Sequence, residues 1–170
     1  RGPPLPSRGA TPCPRPGAAC ALVTPPGAGA QAGRRAVAAL GPATRPDGRP
    51  GPAPRRRLDT ALKIARHATG RHKVLARYRS YHGASAGALS LTGEPRRRLG
   101  EPGIPGVVHV PDPYHGIRRG WDDAPTALAA LEEIVELEGP ETIAAFFLET
   151  VTGTNGVLVP PPGYLEGVRE

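Results

Sequence analysis

The chain has 170 residues, enough for one domain with a real core, and a formal net charge of +7. The charge is uneven: residues 1–57 hold ten Arg and one Asp, whereas residues 58–170 hold twelve Lys or Arg and fourteen Asp or Glu. The basicity therefore belongs to one end, which excludes a charge-based nucleic-acid reading for the rest of the chain.

Residues 1–57 carry 13 of the 23 prolines, 9 of the 23 glycines and no aromatic residue. Ala, Gly, Pro and Arg fill 44 of the 57 positions, and no helical or strand period emerges. Such residues bury too little apolar area to offset chain entropy, so the segment is expected to be a disordered, low-complexity region. Two origins fit it. One is a flexible basic arm that meets an acidic surface or another polyanion. The other is GC-rich DNA translated out of frame, because those four residues have codons that can consist only of G and C. Cys13 and Cys20 fit no zinc spacing and have no His nearby. No window of 18 apolar residues is present, and "CALVTPPGAGA" is too short and Pro-rich for a secretory core. A soluble protein of a reducing compartment, the cytoplasm, is expected. The sequence lacks Met and ends inside the helix-like "PPGYLEGVRE", which reads as a piece of a longer protein.

From Leu58 the pattern becomes regular. "TALKIARHATG" places Ala61, Ile64, Ala65 and Ala68 on one helical face, with Gly70 as the stop. "KVLARY" reads as a short strand, and "GASAGALSLTG" as a tightly packed helix between glycines. A long loop follows, interrupted by a strand at "VVHV" (Val107 to Val110). "DDAPTALAALEEIVELEG" is a helix, with Pro125 in its first turn, an apolar face of Leu128, Leu131, Ile134, Val135 and Leu137, and Gly139 at its end. "TIAAFFLE" (Thr142 to Glu149) is a continuous apolar run suited to a strand buried on both faces. This alternation predicts an α/β fold: a partial, mostly parallel sheet with flanking helices.

In open α/β sheets the ligand crevice lies outside the carboxyl ends of the strands. Tyr81 and His82 follow the first strand, Asp112 and Tyr114 the second, and Glu149 to Asn155 the third. Tyr81 could stack on a flat heteroaromatic ring or pack its loop against the sheet. His82 could serve as an acid, base or donor, or be structural, and Gly83 permits a sharp turn. Glu149 ends an apolar strand, where a carboxylate is costly unless paired or placed in a polar cleft. "TGTNG" at Thr152 to Gly156 is an anion cradle or an ordinary turn. Asp112 reads as a loop anchor, and Lys63 and Lys73 as solvated charges.

Taken together, "ALKIAR…TGRHKVLARYRSYHGASAGALSLTG", "EPGIPGVVHVPDPY", "LEGPETIAAFFLE" and "VTGTNGVLVPPPGYLEGVRE" resemble the class III aminotransferases. These are fold type I enzymes that depend on pyridoxal phosphate. The resemblance covers residues 59–170 and does not enter residues 1–57. It implies that residues 58–170 are part of a large domain from a homodimeric transaminase. Such an enzyme moves an amino group from an amine or amino acid to an oxo acid. It implies that Tyr81 stacks on the cofactor ring, that His82 and Gly83 complete that motif, and that Glu149 lines the cofactor pocket. Thr150 stands where the family has Pro. Thr152 and Thr154 stand where ω-amino acid enzymes carry Gln and Glu, so relatives that pass amino groups to pyruvate fit better. The phosphate-binding segment expected before "ALKIAR" is replaced by "PAPRRRLDT". The family's Schiff-base Lys and pyridine-binding Asp fall beyond residue 170. The resemblance therefore assigns no catalytic residue to this chain and implies little activity in isolation. A non-catalytic relative that dimerises with an intact copy is the second implication.

Overall fold

The structure, a computed structural model, describes residues 19–23, 36–39, 54–114 and 123–170. Five strands form one sheet: β1 (Ala19–Val23), β2 (Ala36–Ala39), β3 (Lys73–Arg77), β4 (Val107–Val110) and β5 (Ile143–Glu149). Their order across the sheet is β2-β1-β5-β3-β4. β3 pairs in parallel with both β4 and β5, which is the α/β core that the alternation predicts. The helices are α1 (Pro54–Thr69), α2 (Ala86–Leu91), α3 (Ala124–Glu138) and α4 (Tyr164–Arg169). Short 3-10 helices lie at Pro95–Gly100 and Pro140–Thr142.

The sheet departs from expectation at its β5 side. Residues 1–57 read as disordered, yet β1 and β2 lie within them, and β1 runs antiparallel to β5. The physical reason is the edge. All seven β5 residues are buried, and their backbone groups on the side away from β3 need partners. The apolar stretch "ACALV" of β1 supplies them, and "AVAA" of β2 pairs in turn with β1. Residues 1–18, 24–35 and 40–53, with Cys13, lie outside the described residues.

Packing on both faces fixes the strands. On one face Val74, Ala76, Ala145 and Phe147 meet Leu58, Ala61, Leu62 and Ala65 of α1 and Ala88 and Leu91 of α2. On the other, Leu75, Val110, Phe146 and Leu148 meet Leu131, Ile134 and Val135 of α3 and Leu165 and Val168 of α4. The buried stripe of α1 is thus rotated from the one expected. Leu58 and Leu62 turn inward and Ile64 is 60% exposed, because the two leucines bury more area together than Ile64 with alanines. Leu137, assigned to the apolar face of α3, is exposed as well. At the α1–α2 crossing a Cβ on Gly87 would run into the Asp59 carboxylate and touch Leu62, so the "small-residue" helix is small where α1 lies against it. α3 begins where Asp123 accepts the Thr126 amide at 2.8 Å and ends at Gly139, whose φ is +83°. Among the described residues no helix is long and apolar enough to cross a membrane.

Candidate active site

Strand register brings three loops to one edge. Ala76 pairs with both Phe147 and His109, and Arg77 with Val110, so the carboxyl ends of β3, β4 and β5 finish together. Tyr81, Asp112 and Glu149 all leave from that edge.

Glu149 joins two of the loops. Its Oε1 accepts the Tyr81 amide at 3.0 Å and its Oε2 accepts the Gly153 amide at 3.2 Å. Although Glu149 is only 8% exposed, both carboxylate oxygens are therefore satisfied, which answers the cost of ending an apolar strand with an acid. The same clamp holds the half-buried Tyr81 in place beside the "TGTNG" turn. Glu149→Gln would keep one acceptor and aim an amide donor at the Gly153 N–H. The expected loss is about 2 kcal/mol, read as a lower urea midpoint at unchanged slope.

Beneath this clamp lies a buried polar layer that composition did not reveal. Arg77 is fully buried, and its Nη2 donates to the Glu149 carbonyl and, at 3.1 Å, to Thr152 Oγ1. Its Nε lies 3.8 Å from Asp112 Oδ1. Asp112, 2% exposed, also accepts the Arg79 amide at 2.9 Å. Asp112 is thus the loop anchor that its position between two prolines suggests, and Arg77 is its buried counter-charge. The signal for Arg77 was visible only as a cation at the end of an apolar strand. Thr152 is held inside the fold: its hydroxyl accepts from Arg77 and its backbone pairs with Leu158.

His82 is 5% exposed. Its amide donates to Thr92 Oγ1 at 3.0 Å, and neither ring nitrogen has a hydrogen-bond partner among the described residues. Burial, then the nearby Arg77 guanidinium and His109, push its pKa down to about 4, so the ring is neutral near pH 7. Gly83, with φ of +130°, makes the turn after it that the sequence suggests. Tyr114 has its pKa pushed up to about 12, burial being the main cause.

The 3-10 helix after α2 returns to the same place. The Arg96 guanidinium lies over the Tyr81 ring, 4.1 Å from its centroid, and pairs with Glu94. Sequence reasoning did not single out Arg96, because "EPRRRLG" looks like a solvated basic run.

A flat heteroaromatic cofactor fits this edge in one respect and not in another. Tyr81 offers a ring of partial exposure, fixed through its own amide. The chain's two lysines are elsewhere: Lys63 is exposed on α1, and Lys73 begins β3 at the opposite edge, its Nζ 2.8 Å from Glu138 Oε2. Neither lysine is placed at this edge to anchor a cofactor covalently. Among the described residues no group of His, Cys, Asp and Glu is placed to hold a metal ion.

Comparison with known proteins gives one consistent result. The family model for class-III aminotransferases matches residues 57–170. A probable aminotransferase of Mycobacterium tuberculosis is 37% identical over 126 residues, covering 66% of this chain and 27% of that protein. The hypotaurine/taurine–pyruvate aminotransferase of Paracoccus denitrificans is 39% identical over 111 residues, covering 62% of this chain and 24% of that protein. Among solved structures, taurine:2-oxoglutarate aminotransferase from Bifidobacterium kashiwanohense, in complex with PLP and glutamate, superposes with a TM-score of 0.63 at 41% identity. That match covers 68% of this chain and 28% of the other. The chain spans about a quarter of the length of the curated relatives it matches.

Proposed function

The chain belongs to the class-III aminotransferases, and from that premise we propose that its site forms one wall of a pyridoxal-phosphate transaminase. In this reading the whole protein moves an amino group from an amine or amino acid to an oxo acid such as pyruvate. It works as a homodimer in the cytoplasm. The observation that carries the reading is the Glu149 clamp: one strand-end carboxylate fixes Tyr81 beside the "TGTNG" turn at the edge where α/β sheets take ligands.

The cofactor, when bound, carries the amino group and withdraws electrons from the substrate. The part assigned to this chain is to position it. Tyr81 supplies a stacking face, Glu149 keeps that face in register with the turn, and Arg77 and Asp112 hold the ends of β3, β4 and β5 together from beneath. His82, neutral near pH 7, contributes a compact ring to the turn and no charge. The resemblance to relatives that use pyruvate supports that acceptor, as do Thr152 and Thr154 in place of Gln and Glu.

Division of labour follows from where the lysines lie. The purified chain, given pyridoxal phosphate, taurine and pyruvate, is expected to form no alanine above a blank. It should nonetheless bind the cofactor non-covalently, and Tyr81→Ala should weaken that binding. Turnover by the wild-type chain would contradict the assignment of its lysines. Equal affinity in wild type and Tyr81→Ala would contradict the stacking role.

A further inference from the structure

We propose that Arg96 is a latch: its guanidinium covers the face of Tyr81 that a flat cofactor must take, and it leaves that face when the cofactor binds. The inference rests on the transaminase reading and adds a residue that sets how tightly the same site binds.

Three observations carry it. First, the two flat groups are in contact. Arg96 Cζ lies 4.1 Å from the centroid of the Tyr81 ring, with the cation over the π face. Second, the covered face is the open one. Tyr81 is half-buried and the Arg96 side chain is 52% exposed. A side chain that open lies on the solvent side of the ring; over the inner face it would itself be enclosed. Third, the guanidinium is held from below. Glu94, 8% exposed, pairs with it through both carboxylate oxygens, Oε2 accepting from Nη2 at 2.8 Å, and Pro95 between the two residues starts the 3-10 helix. The acid is the buried foot and the cation the accessible head.

One face of a ring takes one flat partner at a time, so the guanidinium and a cofactor ring exclude each other there. In the free chain Arg96 keeps the Tyr81 ring covered. The affinity for a cofactor ring is then reduced by the fraction of chains in which the latch is open. A cation–π contact at a half-exposed site closes most chains but not all, which sets the expected effect at about fivefold. An arginine that clamped the cofactor from outside would act with the opposite sign, and one that only steadied the loop would have no effect. Arg97 is the control within the same helix. It lies over a different ring, 5.9 Å from the centroid of Tyr78, and its Nη1 pairs with Glu101 at 3.1 Å.

The full chain is titrated calorimetrically with pyridoxine 5′-phosphate, a flat analogue that needs no lysine. Arg96→Ala is expected to bind it about fivefold tighter than wild type, although the substitution removes a positive charge near an anionic ligand. That variant leaves Glu94 buried without its partner. The double variant Glu94→Gln/Arg96→Ala removes both charges and should show the same gain, and circular dichroism checks that both fold. Arg97→Ala should show no gain, and Arg96→Ala should add none where Tyr81 is already alanine. Affinity in Arg96→Ala and the double variant equal to or weaker than wild type would overturn the latch and leave the transaminase reading standing. Failure of wild type and every variant to bind would defeat that reading, and the inference with it.

Discussion

Arg77→Met is expected to destabilise the chain by about 3–5 kcal/mol, the largest single effect in the site. Arg77 is completely enclosed, and it faces Asp112 on one side and the Glu149 carbonyl and Thr152 hydroxyl on the other. Methionine has nearly the right length and leaves little cavity, so the loss is electrostatic. The Asp112 carboxylate, 2% exposed, keeps the Arg79 amide and the more exposed Arg79 guanidinium, 4.0 Å away, but loses its buried counter-charge. Two further acceptors, the Glu149 carbonyl at the end of β5 and the Thr152 hydroxyl in the loop after it, lose a charged donor. Urea unfolding of wild type, Arg77→Met and the double variant Arg77→Met/Asp112→Asn checks this. The double variant, which removes both charges, should recover part of the loss. A single variant within about 1 kcal/mol of wild type would show that the pair carries little.

The second large effect depends on pH. Burial holds the His82 ring at a pKa of about 4 in the folded chain, below the 6.5 of an exposed ring. The unfolded chain therefore binds this proton first as pH falls. The stability tied to a neutral His82 is complete above about pH 6.5, is lost progressively as pH falls toward 4, and changes no further below that. The span corresponds to about 3 kcal/mol. His109, whose pKa burial also lowers, adds in the same direction. His82→Gln removes the ring, so its stability should depend less steeply on pH between 6.5 and 4. A variant with the wild-type slope would assign the acid sensitivity to other groups.

Legibility in the sequence followed the strength of each pattern. β5 is seven apolar or strand-ending residues in a row, α3 carries both a cap and a stop, and each appears where its pattern places it. Tyr81 and Glu149 were legible because the rule on strand ends needs only the order of strands, and the clamp between them agrees with it. β1 and β2 were hidden because five- and four-residue runs of small apolar side chains have no period. What assigns them to the sheet is the open side of β5, a tertiary demand. The stripe of α1 was rotated for a related reason: spacing alone offers two overlapping faces, and the choice is made by the strands beneath. Arg77 and Arg96 were missed because a guanidinium in a basic sequence looks solvated. Burial distinguishes the first, and the ring of Tyr81 the second.

The measurement that tests the central claim most directly is amide chemical-shift mapping of the chain with pyridoxine 5′-phosphate, a cofactor analogue without the reactive aldehyde. Shifts concentrated at Tyr81, His82, Gly83 and Gly153, and lost in Tyr81→Ala, are the expected result. Shifts confined to the opposite edge, around Lys73 and Glu138, or no shifts at saturating ligand, would contradict the assignment of this edge as the wall of a cofactor site.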